Sequence, residues 1–256
     1  MTRLHILILG GTSEASSLAR AIAEDTRMAP VLSLAGRTAT PALPPIPCRL
    51  GGFGGIQGLV DYLRAQGIEA LIDATHPFAS QMTAHARAAA AICGIPVLRI
   101  DRPPWMPELG DDWTMVPDIA AAARALGATP RRVFLTIGQK ELAPFRAAPW
   151  HHYTIRSVDP PAPSLLPPRA AVITARGPFA EAEEHTLLLE RRIDVLVTKN
   201  SGGAATEQKL AAARRLGLPV VMVTRPATPP MPKVADADAA LGWIEVRIHE
   251  AAPRRV

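Results

Sequence analysis

Leu4-His5-Ile6-Leu7-Ile8-Leu9-Gly10-Gly11-Thr12-Ser13-Glu14 is the stretch that decides the fold. An apolar run of strand length, the kind covered on both faces, breaks at a glycine pair and passes at once into a helical pattern over residues 15–24. Glycine lets the backbone turn tightly, while the amides and the positive dipole end of the following helix attract an anion. Strand, glycine turn and helix start in that order make a cradle for a diphosphate, so the segment reads as the opening of a dinucleotide-binding unit. Its glycines are adjacent rather than spaced as in the usual three-glycine fingerprint, with Ala15 at the close-packing position. On these residues alone, a plain tight turn stands as the competing reading.

The same alternation continues outward. Strands are expected over residues 30–35, 68–74 and 95–100, with helices over 56–66 and 79–93 between them, as in successive βαβ units. A proline-rich loop at 101–110 precedes a short strand at 113–116 and a helix at 118–126. Strands at 132–137, 170–175, 193–198 and 219–224 and helices at 181–191 and 204–216 restart the pattern, and residues 160–168 are an exposed, proline-rich connection. The fold class is therefore α/β, with two Rossmann-like doubly wound parallel-sheet domains, residues 1–129 and 130–256, and an interdomain cleft.

Composition narrows the partners. Of 256 residues 48% are apolar and 4% aromatic, which suits an aliphatic core between helices and parallel strands. The net charge of +5 is spread along the chain without interleaved aromatics, so an acidic small molecule, and not nucleic acid, is the expected partner. Cys48 and Cys93 lie far apart, which points to neither a thiol redox motif nor a zinc cluster and suits a reducing cytoplasm. His151-His152 is no metal pair, because adjacent strand residues face opposite ways; no metal is expected. No segment has the length of a membrane span, no export signal is read, and a monomer is favoured. The sequence carries no phosphate-binding loop of the Gly-x-x-x-x-Gly-Lys-Ser/Thr type, which weighs against phosphoryl transfer.

The second strand selects the coenzyme. It ends in Ala35-Gly36-Arg37-Thr38, with no Asp or Glu to hold a ribose 2′-hydroxyl and with an arginine suited to a 2′-phosphate. NADP(H) is thus preferred to NAD(H). The expected coenzyme contacts are Gly10, Gly11, Thr12, Ser13, Glu14, Ala35, Gly36, Arg37, Thr38, Phe53, Gly54, Asp73 and Thr75, with Phe53 packing on a ring and the neighbouring glycines admitting close backbone approach.

Taken in order, Gly10-Gly11-Thr12-Ser13-Glu14-Ala15, Ala35-Gly36-Arg37, Gly51-Gly52-Phe53-Gly54-Gly55, Asp73-Ala74-Thr75-His76-Pro77-Phe78-Ala79 and Lys199-Asn200-Ser201-Gly202-Gly203 resemble the precorrin-6A reductase family of cobalamin biosynthesis. The resemblance spans residues 4–225, and Asp-Ala-Thr-His-Pro-Phe is its most specific element. It implies an NADPH-dependent oxidoreductase acting on a CH–CH bond, which reduces one double bond of precorrin-6A to give precorrin-6B. The acidic side chains of such a tetrapyrrole would account for a basic protein. Cobalt-precorrin-6A, the substrate of the anaerobic route, is the alternative.

With that substrate in view, His76 and Lys199 are the catalytic candidates. His76, on a loop after a strand, is suited either to giving a proton to the reduced macrocycle or to fixing its own loop through backbone bonds. Substrate contacts are expected from His76, Phe78, Gln139, Lys140, Arg176, Lys199, Asn200, Ser201, Gly202 and Gly203. The three cations would meet carboxylates, and Ser201-Gly202-Gly203 would present amides at the start of the next helix. A nonenzymatic NADP-binding sensor is a rival; its partner face would need aromatic anchors, whereas these loops are polar and cationic. A short-chain reductase using Tyr-x-x-x-Lys is excluded, since neither Tyr62 nor Tyr153 is followed by lysine at that spacing.

Overall fold

Every residue of Leu4–Leu9 except His5 is buried, because both faces of this strand are covered. Ile6 and Ile8 pack into one aliphatic cluster with Leu18 and Ile244, and Leu7 and Leu9 pack into another with Leu59 and Ala89. At about 1.5–3 kcal/mol per large apolar side chain, such two-sided burial anchors the sheet on its central strand. The coordinates are a computed structural model and describe residues 3–36 and 43–251.

The elements run β1 (Leu4–Leu9), α1 (Ser13–Ala21), β2 (Met28–Leu34), β3 (Cys48–Leu50), α2 (Ile56–Ala65), β4 (Ala70–Asp73), α3 (Ser80–Cys93) and β5 (Val97–Ile100). They continue with β6 (Trp113–Val116), α4 (Ile119–Ala125), β7 (Arg132–Thr136), β8 (His152–Ser157), β9 (Ala170–Thr174), α5 (Glu181–Glu190), β10 (Val195–Lys199), α6 (Gln208–Arg215) and β11 (Val220–Val223). The described chain closes with β12 (Lys233–Val234) and α7 (Ala237–Ala251). Two six-stranded sheets form, in the orders β12-β5-β4-β1-β2-β3 and β6-β11-β10-β7-β8-β9, and every described strand pair is parallel. Read from the outer strand inward, the first sheet runs 3-2-1-4-5 and then a sixth strand, the order of dinucleotide-binding sheets. The second sheet repeats it.

The sixth place is filled out of turn in both. β6 precedes the other strands of its sheet, and β12 follows the whole second unit to pair with β5. One compact unit therefore comprises the chain up to Pro103 together with Ala227 onward, and the other comprises Pro104–Pro226. This corrects the expected boundary between residues 129 and 130, which rested on where the alternation restarts. The hydrogen-bond ladders assign residues 113–116 to the second sheet, and α7 covers the cluster around α1 in the first unit.

β3, β8, β12 and α7 have no counterpart among the expected elements. The expected helix over 204–216 is a short 3-10 turn, Ala204–Thr206, followed by α6. Between β7 and β8, and again between β8 and β9, the crossovers are 3-10 turns and loops instead of α-helices. Tyr153 stabilises the first of these by donating its hydroxyl to the carbonyls of Phe145 and Ala148, at 3.2 and 2.9 Å.

His151, fully buried just before β8, accepts the N–H of Arg131 at Nδ1 (3.1 Å) and lies 3.2 Å from Gly127 O through Nε2. Burial lowers its pKa from the ordinary 6.5; the bond to Gly127 O opposes the shift and the Arg131 charge adds to it. The unfolded chain thus binds this proton more readily than the folded one. The resulting contribution to stability is complete above the ordinary value and is lost as pH falls below it. The thermal midpoint is expected to drop between about pH 7.5 and 5.5, with a shallower drop in His151→Asn, as followed by circular dichroism melts.

Candidate functional site

All strands of the first sheet end at one edge, where the turn after β1 meets Ala35-Gly36 after β2, residues 51–55 after β3 and residues 74–78 after β4. At the turn, a Cβ on Gly10 would stand 2.6 Å from Leu32 Cδ1, and Gly11 takes φ of 124° with no atom near the position of its missing Cβ. The backbone there is open to close approach. Thr12 caps α1, its Oγ accepting the N–H of Ala15 at 3.2 Å while donating to Ala74 O at 2.8 Å. One hydroxyl thus satisfies a first-turn amide and ties the glycine turn to the loop after β4. These features fit a diphosphate.

Glu14 sits in that turn, and its charge would oppose a diphosphate if left alone. Arg102, after β5, lies 2.9 Å from its Oε2. Burial acts to raise the Glu14 pKa, but its own backbone N–H, the Arg102 guanidinium and the Ser13 hydroxyl together hold it below 4.5, so it stays ionised and paired.

The loop after β4 is built on a buried ion pair. Asp73 has no exposure, and its Oδ2 accepts from Arg99 Nη1 at 2.6 Å; the same nitrogen donates to Thr83 Oγ1 at 2.5 Å. Asp73 Oδ1 accepts from both the N–H (3.1 Å) and the hydroxyl (2.6 Å) of Thr75. Both side chains are buried, so Asp73 and Thr75, expected as coenzyme contacts, hold the shape of the loop instead. His76 follows, half-buried, with Nδ1 accepting the N–H of Phe78 at 3.2 Å and its ring 5.8 Å from that of Phe78. A neutral imidazole that accepts at Nδ1 carries its hydrogen on Nε2. His76 therefore does fix its loop, and the same bond sets which nitrogen can donate.

Phe53 is also committed. The Arg49 guanidinium lies 3.9 Å from its ring centre, and Tyr62 meets it edge-on at 5.3 Å, so one face of the ring is already covered. Ala35, Gly36 and Gly54 are exposed at the edge, whereas Arg37 and Thr38 lie outside the described residues.

In the second unit Lys199, at the end of β10, bonds Glu141 Oε2 at 2.8 Å, and that oxygen also accepts the N–H of Gly138 at 3.0 Å. Lys199, expected as a catalytic and substrate-contacting residue, is thus ion-paired with Glu141. Asn200 is buried and clasps Trp105, accepting its N–H at 2.8 Å and donating to its carbonyl at 3.0 Å; Gly203 O accepts Trp105 Nε1. Both polar groups of this side chain, expected as a substrate contact, are thus engaged with Trp105. Gly202 is buried, and Ser201-Gly202-Gly203 leads into the 3-10 turn, so these residues do not begin an α-helix. Gln139 donates to Asp159 O at 2.5 Å, while Lys140 and Arg176 are exposed at the same sheet edge. Sequence reading missed Arg49, Arg102 and Glu141. Only Arg49, two residues before a glycine pair, carried a local signal.

A parallel sheet in this order, with a glycine turn and a capped helix on its central strand, defines an α/β dinucleotide-binding protein of the Rossmann type. Residues 5–245 match the family described as Precorrin-6x reductase CbiJ/CobK, and the chain belongs to that family. It is 50% identical to a precorrin-6A reductase of Rhodobacter capsulatus over 256 residues, all of both chains. It is 33% identical to a cobalt-precorrin-6A reductase of Synechocystis over 68% of this chain and 70% of that one. A solved structure of CobK precorrin-6A reductase superposes with a TM-score of 0.90 at 49% identity, covering 98% of this chain and 99% of that one.

Breaking the pair beneath the loop tests its role. Arg99→Met leaves the Asp73 carboxylate buried without its cation and is expected to cost about 3–5 kcal/mol in urea unfolding, with a smaller loss in Arg99→Lys.

Proposed function

We propose that this chain reduces one double bond of precorrin-6A to give precorrin-6B, with NADPH as the reductant and the glycine turn of the first unit as its diphosphate site. The observation that carries the reading is the dinucleotide strand order, with the Gly10–Glu14 turn on its central strand, in a chain half identical throughout to a precorrin-6A reductase. NADPH, when bound, supplies the hydride. The chain's own residues position and polarise: the first turn of α1 holds the diphosphate, Arg37 meets the 2′-phosphate, and Glu14 is neutralised in advance by Arg102.

His76, with its hydrogen on Nε2, is proposed to donate a hydrogen bond from that nitrogen to the macrocycle, polarising it for reduction. Lys140 and Arg176, the exposed strand-end cations of the second unit, are proposed to meet substrate carboxylates. Lys199 is proposed to act through Glu141, which it orients against the Gly138 turn. The cobalt-free substrate is favoured because the relative with that name is 50% identical and the cobalt-named one 33%. No helix among the described residues is long and apolar enough to cross a membrane, and Cys48 and Cys93 are free thiols, which suits a cytoplasmic reaction.

Turnover is tested by following NADPH consumption with precorrin-6A under anaerobic conditions and the product's gain of two hydrogens by mass spectrometry. Binding of NADPH without its oxidation would instead support the sensor reading. His76→Ala is expected to lower kcat about 100-fold with NADP⁺ affinity kept, and unchanged kinetics would remove His76 from the chemistry. Arg37→Ala is expected to weaken NADPH about tenfold or more in titration calorimetry while sparing NADH, and equal losses would refute the 2′-phosphate assignment.

A further inference from the structure

The edge of the first sheet presents a cation, Arg49, where an adenosine ribose would lie. Arg49 is on β3, paired in register with Ser33 on β2, at the strand ends that flank the coenzyme turn. In sheets of this order the 2′ position of the adenosine ribose is recognised just beyond the second strand. Arg49 Nη1 donates to Ser33 Oγ at 2.8 Å and to Gly51 O at 2.9 Å, and Nη2 donates to Gly52 O at 3.1 Å. All three acceptors are uncharged, and among the described residues no carboxylate lies within ion-pair distance of Arg49.

A guanidinium has five N–H groups, so two remain, one on Nε and one on Nη2. Contacts with the Phe53 ring at 3.9 Å and the Tyr62 ring at 5.1 Å, the two rings meeting edge-on, fix the guanidinium plane and the direction of its fork. A half-buried, oriented cation held only by neutral oxygens carries an uncompensated charge that a dianionic phosphate would neutralise.

We propose that Arg49 grips the 2′-phosphate of NADP(H) and sets the preference over NAD(H). The inference rests on the NADPH reading above. It also assigns Phe53 a different task from ring stacking on the coenzyme: it aims Arg49.

Titration calorimetry of the full chain with NADP⁺ and with NAD⁺ tests it. Arg49→Met is expected to weaken NADP⁺ roughly 10- to 100-fold and to change NAD⁺ by less than about twofold, with Arg49→Lys between wild type and Met for NADP⁺. Retained NAD⁺ binding shows that the variant is folded; should Arg49→Met not fold, Arg49→Lys carries the same comparison. Equal losses for both coenzymes, or no loss for either, would overturn the assignment while leaving the NADPH reading intact. Wild-type protein that binds NADP⁺ no better than NAD⁺ overturns both readings.

Discussion

A carboxylate without any exposure to water can stay charged inside a protein only if something nearby replaces its hydration, and for Asp73 that is the Arg99 guanidinium with the amide and hydroxyl of Thr75. This cluster stands at the ends of β4 and β5 and dictates the path of the chain into residues 75–78. Thr12 then joins that path to the glycine turn through Ala74 O. Four side chains, Thr12, Asp73, Thr75 and Arg99, thus set the glycine turn and the histidine loop in one fixed relation. The geometry of this sheet edge follows from a few internal bonds.

The second unit repeats the strand order without repeating the chemistry. Its loops begin from the same kind of sheet edge, yet the strongest polar bonds there are internal: Lys199 with Glu141, Asn200 with Trp105, Arg156 with Glu184. Most of the motif after β10 is spent on shaping the edge, and the cations left facing solvent are on neighbouring loops. A similar frame thus carries different side chains in its two copies, because the chemistry of such folds resides in the strand-end loops.

Much of this was legible in the residues. Long apolar runs such as β1, and β7, β10 and β11 in the second unit, announce themselves because burial on both faces demands apolar side chains at nearly every position. β8 does not. Its Thr154 and Arg156 are buried but polar, and the partner that makes Arg156 tolerable there, Glu184, is on a distant helix. The position of Lys199 was visible, but its pairing with Glu141, far away in sequence, was not. Likewise the apolar character of residues 113–116 marks a strand without telling which sheet it joins, and the expected domain boundary failed there.

The out-of-turn sixth strands also bear on synthesis. A nascent chain emerges from its amino end, and domains generally fold as units as they appear. The second unit is contiguous, so its sheet can be completed once Pro226 has left the ribosome. The first unit is begun before the second and completed after it: the outer edge of β5 lacks a partner, and the cluster around Leu18 stays partly uncovered, until β12 and α7 arrive. A chain ordered this way leaves its first unit incomplete until α7 arrives, and removal of α7 would uncover the core of the portion that began folding earliest.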